Sequence, residues 1–168
     1  KDVTVSCNND GLDPNAVGYP SITDNCALDP ATVHFSDLII DTNCTGLFSA
    51  TITRTWHASD KSGNPADPCT QIISIKRGTL AEVKFPPNLD DVSAPSVSCE
   101  DPNTEPSHTG VPTIDGKPIE KFCELQVAPF TDVVIPICEK GFKIIRTWLV
   151  MDACSNNMIT GVQLIYVK

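Results

Sequence analysis

The chain has 168 residues, room for one large domain or two small ones. It is 40% hydrophobic and 20% charged, with 14 Pro and nine Gly, which excludes a disordered chain and predicts many turns and little helix. Its net charge of −9 is spread evenly, so no basic patch offers itself to nucleic acid or an anionic membrane surface, and no apolar run approaches the ~20 residues of a membrane span.

In chain order the predicted elements are all strands. Val3–Ser6, Tyr19–Thr23 and Thr32–Ile40 come first. The long Phe48–Ala58, rich in Ile, Thr and Trp, follows, and then Cys69–Lys76. The second half offers Val83–Phe85, Ser96–Cys99, Val111–Ile114, Glu124–Ile137, Phe142–Val150 and Gly161–Val167. Pro and Asn-Asp turns separate them, and no helical periodicity survives two turns. No N-terminal segment has the order of a signal peptide. Lys1 falls inside what reads as a strand, so the chain is expected to be a piece of something longer.

The halves repeat. Val-Thr-Val-Ser-Cys7 matches Pro-Ser-Val-Ser-Cys99, and Thr51-Ile-Thr-Arg-Thr-Trp56 matches Lys143-Ile-Ile-Arg-Thr-Trp148, both at an offset of 92. Phe35-Ser-Asp37 matches Phe130-Thr-Asp132, and Asp60 and Asp152 each follow their Trp by four. A period this long suits tandem immunoglobulin-sized modules rather than a solenoid. The expected domains are therefore 1–77, truncated at its N-terminus, and 78–168, two β-sandwiches in tandem.

Eight cysteines with no C-x-x-C, and no His at ligand spacing from a Cys pair, point to disulfides rather than zinc. Disulfides imply an oxidising compartment. The run Thr-Asp-Asn-Cys26, Cys44, Ile-Thr-Arg-Thr-Trp56-x-Ala-x-Asp60-x-x-Gly-Asn64 and Cys69-Thr-Gln-Ile resembles the HYR-like, immunoglobulin-like repeats that Bacteroidetes carry in long arrays on giant secreted surface proteins. The second copy's Arg-Thr-Trp148-x-x-x-Asp152-x-Cys154 resembles a sister variant. The resemblance implies type IX secretion, a cell-surface location and a part in adhesion and gliding motility. Neighbouring repeats of the same chain are then the first partners, with polysaccharide or another surface component as the further one, and the chain is expected to be monomeric. In one departure, Ser62 stands where the family has Cys, and the fourth cysteine of copy one comes later, at Cys69.

If each module runs like an immunoglobulin sandwich, Cys7 and Cys44 fall at one end and Cys26 and Cys69 at the other. A disulfide spans about 7 Å between Cα atoms and cannot bridge the two ends. The expected bonds are Cys7–Cys44, Cys26–Cys69, Cys99–Cys138 and Cys123–Cys154.

Trp56 and Trp148 are expected in the cores. With only 6% aromatic residues, no sugar-stacking platform is visible. Residues two apart on a strand share a face, so an inward Trp makes Arg54 and Arg146 inward too. A buried guanidinium needs a carboxylate, and Asp37 and Asp132 are the candidates; the competing reading is an arginine snorkelling to water at a sheet edge. Asp24, Asn25, Asp60 and Asn64 would offer hard oxygen ligands to Ca²⁺ if their loops converge, against the plainer reading of turn-forming Asx residues. Asn43-Cys44-Thr45 has the form of a glycosylation sequon, expected to be idle given the bacterial origin that the resemblance implies. No catalytic or nucleotide-binding motif is present, so neither an enzyme nor a cofactor beyond that Ca²⁺ is expected. The leading expectation is a shaft segment of a surface adhesin. The rival is a ligand-binding module, which should present an exposed apolar patch.

Overall fold

The computed structural model describes residues 1–8, 12–21, 32–137 and 141–168. Strands hold 46% of the residues and helix 10%, so the fold is all-β. The chain divides into two compact units, Lys1–Arg77 and Gly78–Lys168, the residue ranges of the two sequence copies.

Unit 1 contains β1 (Val3–Ser6), a single helical turn α1 (Pro14–Val17), β2 (His34–Asp41), β3 (Phe48–His57) and β4 (Cys69–Lys76). The strands form one sheet in the order β1-β4-β3-β2, with β1 parallel to β4 and the other pairs antiparallel. Burial along β3 alternates strictly from Ala50 onward, because Ala50, Ile52, Arg54 and Trp56 face inward while Thr51, Thr53, Thr55 and His57 face out. Inward-facing Ile73 and Ile75 of β4 complete the apolar floor. Each such Ile removed from water stabilises the fold by roughly 1.5–3 kcal/mol.

Unit 2 opens with a 3-10 turn, Leu80–Glu82. There follow α2 (Pro106–Thr109), β5 (Thr113–Ile114), β6 (Lys117–Pro118), a 3-10 turn Lys121–Cys123, β7 (Leu125–Val127), β8 (Thr131–Pro136), β9 (Phe142–Asp152) and β10 (Met158–Val167). β9 lies between β10 on one side and β7 and β8, which share its other side. Val97, Ile144, Ile165 and Val167 form a core cluster on which Leu89 and Phe142 pack. The Phe85 ring lies so close over Gly161 that an added Cβ would come within 2.2 Å of it. The first-copy position 92 residues earlier holds Cys69, so no ring can pack there in the same way.

The ladder differs from a pair of facing sheets. Among the described residues each unit has one open four-stranded sheet, and unit 2 adds the two-stranded β5–β6 ribbon. Expected strands at Val83–Phe85 and Ser96–Cys99 shrink to single bridges, Lys84 with Thr113 and Val97 with Val167. Tyr19–Ser21 is coil, and the rest of that predicted strand lies outside the described residues. Pro20, Pro86, Pro87, Pro95 and Pro112 lie in or beside these segments and remove ladder donors. Glu124–Ile137 splits into β7 and β8, with Pro129 between them.

Candidate functional site

The feature that both units build alike is a polar row across three strands, its arginine and glutamine buried and its aspartate on the exposed outer strand. In unit 1 the register sets Asp37 opposite Arg54 and Arg54 opposite Gln71. In unit 2 the row is Asp132, Arg146 and Gln163. Arg54 and Arg146 are fully buried. Arg54 donates from Nε and Nη2 to the two carboxylate oxygens of Asp37, both at 2.8 Å. Arg146 does the same to Asp132, at 2.9 and 2.8 Å. The planar guanidinium matches a carboxylate in this two-pronged way, which a lysine cannot. Each arginine also lies under an aromatic face, Phe35 at 3.9 Å and Phe130 at 4.0 Å from the ring centre. Trp56 and Trp148 are buried beside these rings, at centroid distances of 5.2 and 5.4 Å.

The row holds a helical turn onto the sheet. Gln71 donates from Nε2 to the carbonyl of Val17, the last residue of α1, at 2.9 Å, and to that of Lys1 at 3.0 Å. Gln163 donates to the carbonyl of Thr109, the last residue of α2, at 2.7 Å, and to that of Pro87 at 2.9 Å. Both turns start on Pro and end against a glycine, Gly18 or Gly110, at φ +92° and +94°, a conformation that glycine adopts without strain. Gln71 and Gln163 are 92 residues apart, as are Pro14 and Pro106. Sequence reasoning missed the glutamines and the turns, although the offset marks them.

Two side-chain bonds of the second row have no first-copy counterpart. Trp148 Nε1 donates to Gln163 Oε1 at 3.4 Å, whereas Gln71 Oε1 is buried without a partner among the described residues. Arg146 Nη1 donates to Thr109 Oγ1 at 2.9 Å. The residue 92 earlier is Val17, which has no hydroxyl, and Arg54 Nη1 is buried without a partner among the described residues. Arg54 Nη2 reaches the Leu12 carbonyl instead.

Of the four calcium candidates, Asp60 and Asn64 are among the described residues. Asp24 and Asn25 lie outside the described residues. Asp60 and Asn64 share one turn, in which the Asp60 carboxylate accepts from Ser62 N, Asn64 N and Asn64 Nδ2, each at 2.8 Å. The Asn64 side-chain bond leads in holding Asp60 below the usual carboxylate range. Asn64 therefore points a donor, not an oxygen, at its neighbour, as an Asx turn requires.

Two disulfides engage Cys7, Cys44, Cys123 and Cys154. Cys7 follows β1, and Cys44 lies in the β2–β3 loop, at the same end of the unit 1 sheet. In unit 2 the Leu125–Asp152 pairing and the bond from Ala153 N to Glu124 O run the ladder on toward Cys123 and Cys154. Cys69 and Cys99 carry free thiols, so the expected bonds Cys26–Cys69 and Cys99–Cys138 are not made in this structure. Cys26 and Cys138 lie outside the described residues. The bonded cysteines fit an oxidising, non-cytoplasmic environment. No described helix is long and apolar enough to cross a membrane.

Unit 2 also shows an apolar outer face. Val133 and Val162 are 59% and 58% exposed there. Ile145, Leu149 and Leu164 are half-buried on the same side. The first-copy counterparts of Ile145, Leu149, Val162 and Leu164 are Thr53, His57, Thr70 and Ile72, and unit 1 exposes Leu38 and Ile40 on its own outer face. No family model and no curated protein matches the chain.

Proposed function

We propose that the chain is a pair of HYR-like, immunoglobulin-like repeats forming part of the shaft of a large secreted surface adhesin, of the kind that serves adhesion and gliding motility. The observation that carries this reading is the repeated interior. Asp, Arg, Gln, Trp and a one-turn helix recur, with the Arg–Asp pair and the Gln bond to the end of the helical turn made in both copies. A module meant to be repeated keeps its scaffold and lets its surface vary. The role is mechanical, with extension and durability supplied by stapled sheets rather than by catalysis. Pulling the chain from both ends in a single-molecule force experiment tests it. Two discrete unfolding events are expected, with longer contour increments after reduction. Smooth extension without a force peak contradicts a shaft.

A second reading, a binding module for polysaccharide or another envelope protein, is favoured by the apolar outer face of unit 2. A V133K/V162K variant tests it. Loss of retention on the cell surface with the fold intact supports binding, and unchanged retention supports the shaft.

A further inference from the structure

The register of β2 on β3 sets His34 directly opposite His57, two residues far apart in sequence. Both side chains lie on the outer face of unit 1, away from Arg54 and Trp56. Their rings lie nearly parallel, with centroids 5.2 Å apart and planes 19° from one another. His34 Nδ1 is 2.7 Å from the Thr32 carbonyl oxygen. A carbonyl only accepts, so Nδ1 carries the proton and Nε2 of the neutral ring keeps its lone pair. Metal-binding histidines are oriented by the same carbonyl contact. Thr32 is itself locked, since its Oγ1 donates to Ser59 O at 3.0 Å and accepts from Ser59 N at 2.9 Å. Thr32 precedes His34 by two residues and Ser59 follows His57 by two, so one lock fixes both approaches.

We propose that His34 and His57 form a two-histidine site for a late first-row divalent ion, Zn²⁺, Cu²⁺ or Ni²⁺, with solvent completing the coordination. Imidazole suits these ions. Two imidazoles on one tetrahedral ion, with bonds of about 2.1 Å, hold their ring centres about 5 Å apart, and the His57 ring must turn out of its stacked arrangement for its lone pair to meet that of His34 Nε2. The next row on that face is Ser36 and Thr55, which brings no positive charge. His34 is exposed and His57 half-buried, so an ion can reach both. The site belongs to copy one alone, because Leu149 stands 92 residues after His57. A bound ion would clamp the exposed strand β2 to β3.

Titration of the chelator-treated full chain with Cu²⁺, Ni²⁺ and Zn²⁺ at neutral pH tests this. Imidazole resonances and thermal unfolding would be followed together. One ion per chain is expected, with His34 and His57 perturbed, His108 untouched, and the first-copy melting temperature raised. His34→Ala and His57→Ala should each weaken binding at least tenfold, and a C69S/C99S variant should bind as before. Binding that survives the double histidine variant, that disappears with the thiols, or that is undetectable at millimolar metal overturns the proposal.

Discussion

Arg54 and Arg146 are the most consequential single residues. Each is a full charge held in a sheet interior, tolerable only because a carboxylate meets it along two hydrogen bonds. Replacing Arg146 by Leu leaves the partly exposed Asp132 without its cation, at a cost below the ~3–5 kcal/mol of a wholly buried pair because water can reach the acid. A denaturant melt should show that loss, and the double variant with Asp132→Asn should recover part of it. A single variant that melts like the wild type contradicts the pair. The orphaned Nη1 of Arg54 makes the opposite prediction. Val17→Thr would place a hydroxyl where Thr109 has one, able to accept from the arginine and donate to the Asp13 carbonyl as Thr109 does to that of Glu105. A gain of about 1 kcal/mol is expected. A lower melting temperature would show that Nη1 is satisfied otherwise. The arginine–aspartate pairs were legible in the sequence because a period of two fixes which residues share a face. Gln71 and Gln163 were not, because their partnership depends on the register of a third strand, which composition and alternation leave open.

At the scale of elements, the long strands were legible and the short pieces were not. Val3–Ser6 and Cys69–Lys76 fall where the β-branched runs end. A four-residue helix has too few positions to show a 3.6-residue period, so α1 and α2 announced themselves only by a proline at one end and a glycine at the other. Two short strands expected early in the second copy, Val83–Phe85 and Ser96–Cys99, were misjudged for a related reason. Short apolar runs bordered by proline read as strands, yet without donors they make single bridges instead of ladders. The closing strand β10 ends in an ionic clasp, where Lys168 Nζ pairs with the Asp91 carboxylate, which also accepts from Ser96 N at 2.6 Å. Lys168, ahead of the Ser96 amide, holds the Asp91 carboxyl down at about 2. A depressed acid contributes stability above its unfolded value near 3.9, and that contribution is lost as pH falls toward about 2. Carbon-detected NMR of the carboxyl should show the low midpoint, and Lys168→Ala should move it up toward about 4, short of it because the Ser96 amide remains. An unmoved midpoint contradicts the clasp.

For the whole molecule, the repeat seen in the sequence and the two compact units share one set of boundaries. The repeat was legible because an offset recurring in cysteines, tryptophans and arginines cannot come from local propensity. The disulfide map was less so, since it rested on an assumed sandwich topology. Proteolysis without reductant, followed by mass spectrometry, should recover Cys7 linked to Cys44 and Cys123 linked to Cys154, with Cys69 and Cys99 open to alkylation. A bond joining the two units would contradict modules that fold alone. Each unit stands on its own Asp–Arg–Gln row, and differential scanning calorimetry of the full chain carrying Arg54→Leu or Arg146→Leu is the decisive check. Two transitions are predicted, with Arg54→Leu lowering only one and Arg146→Leu only the other. A single transition lowered by either variant would mean that the two units do not fold independently.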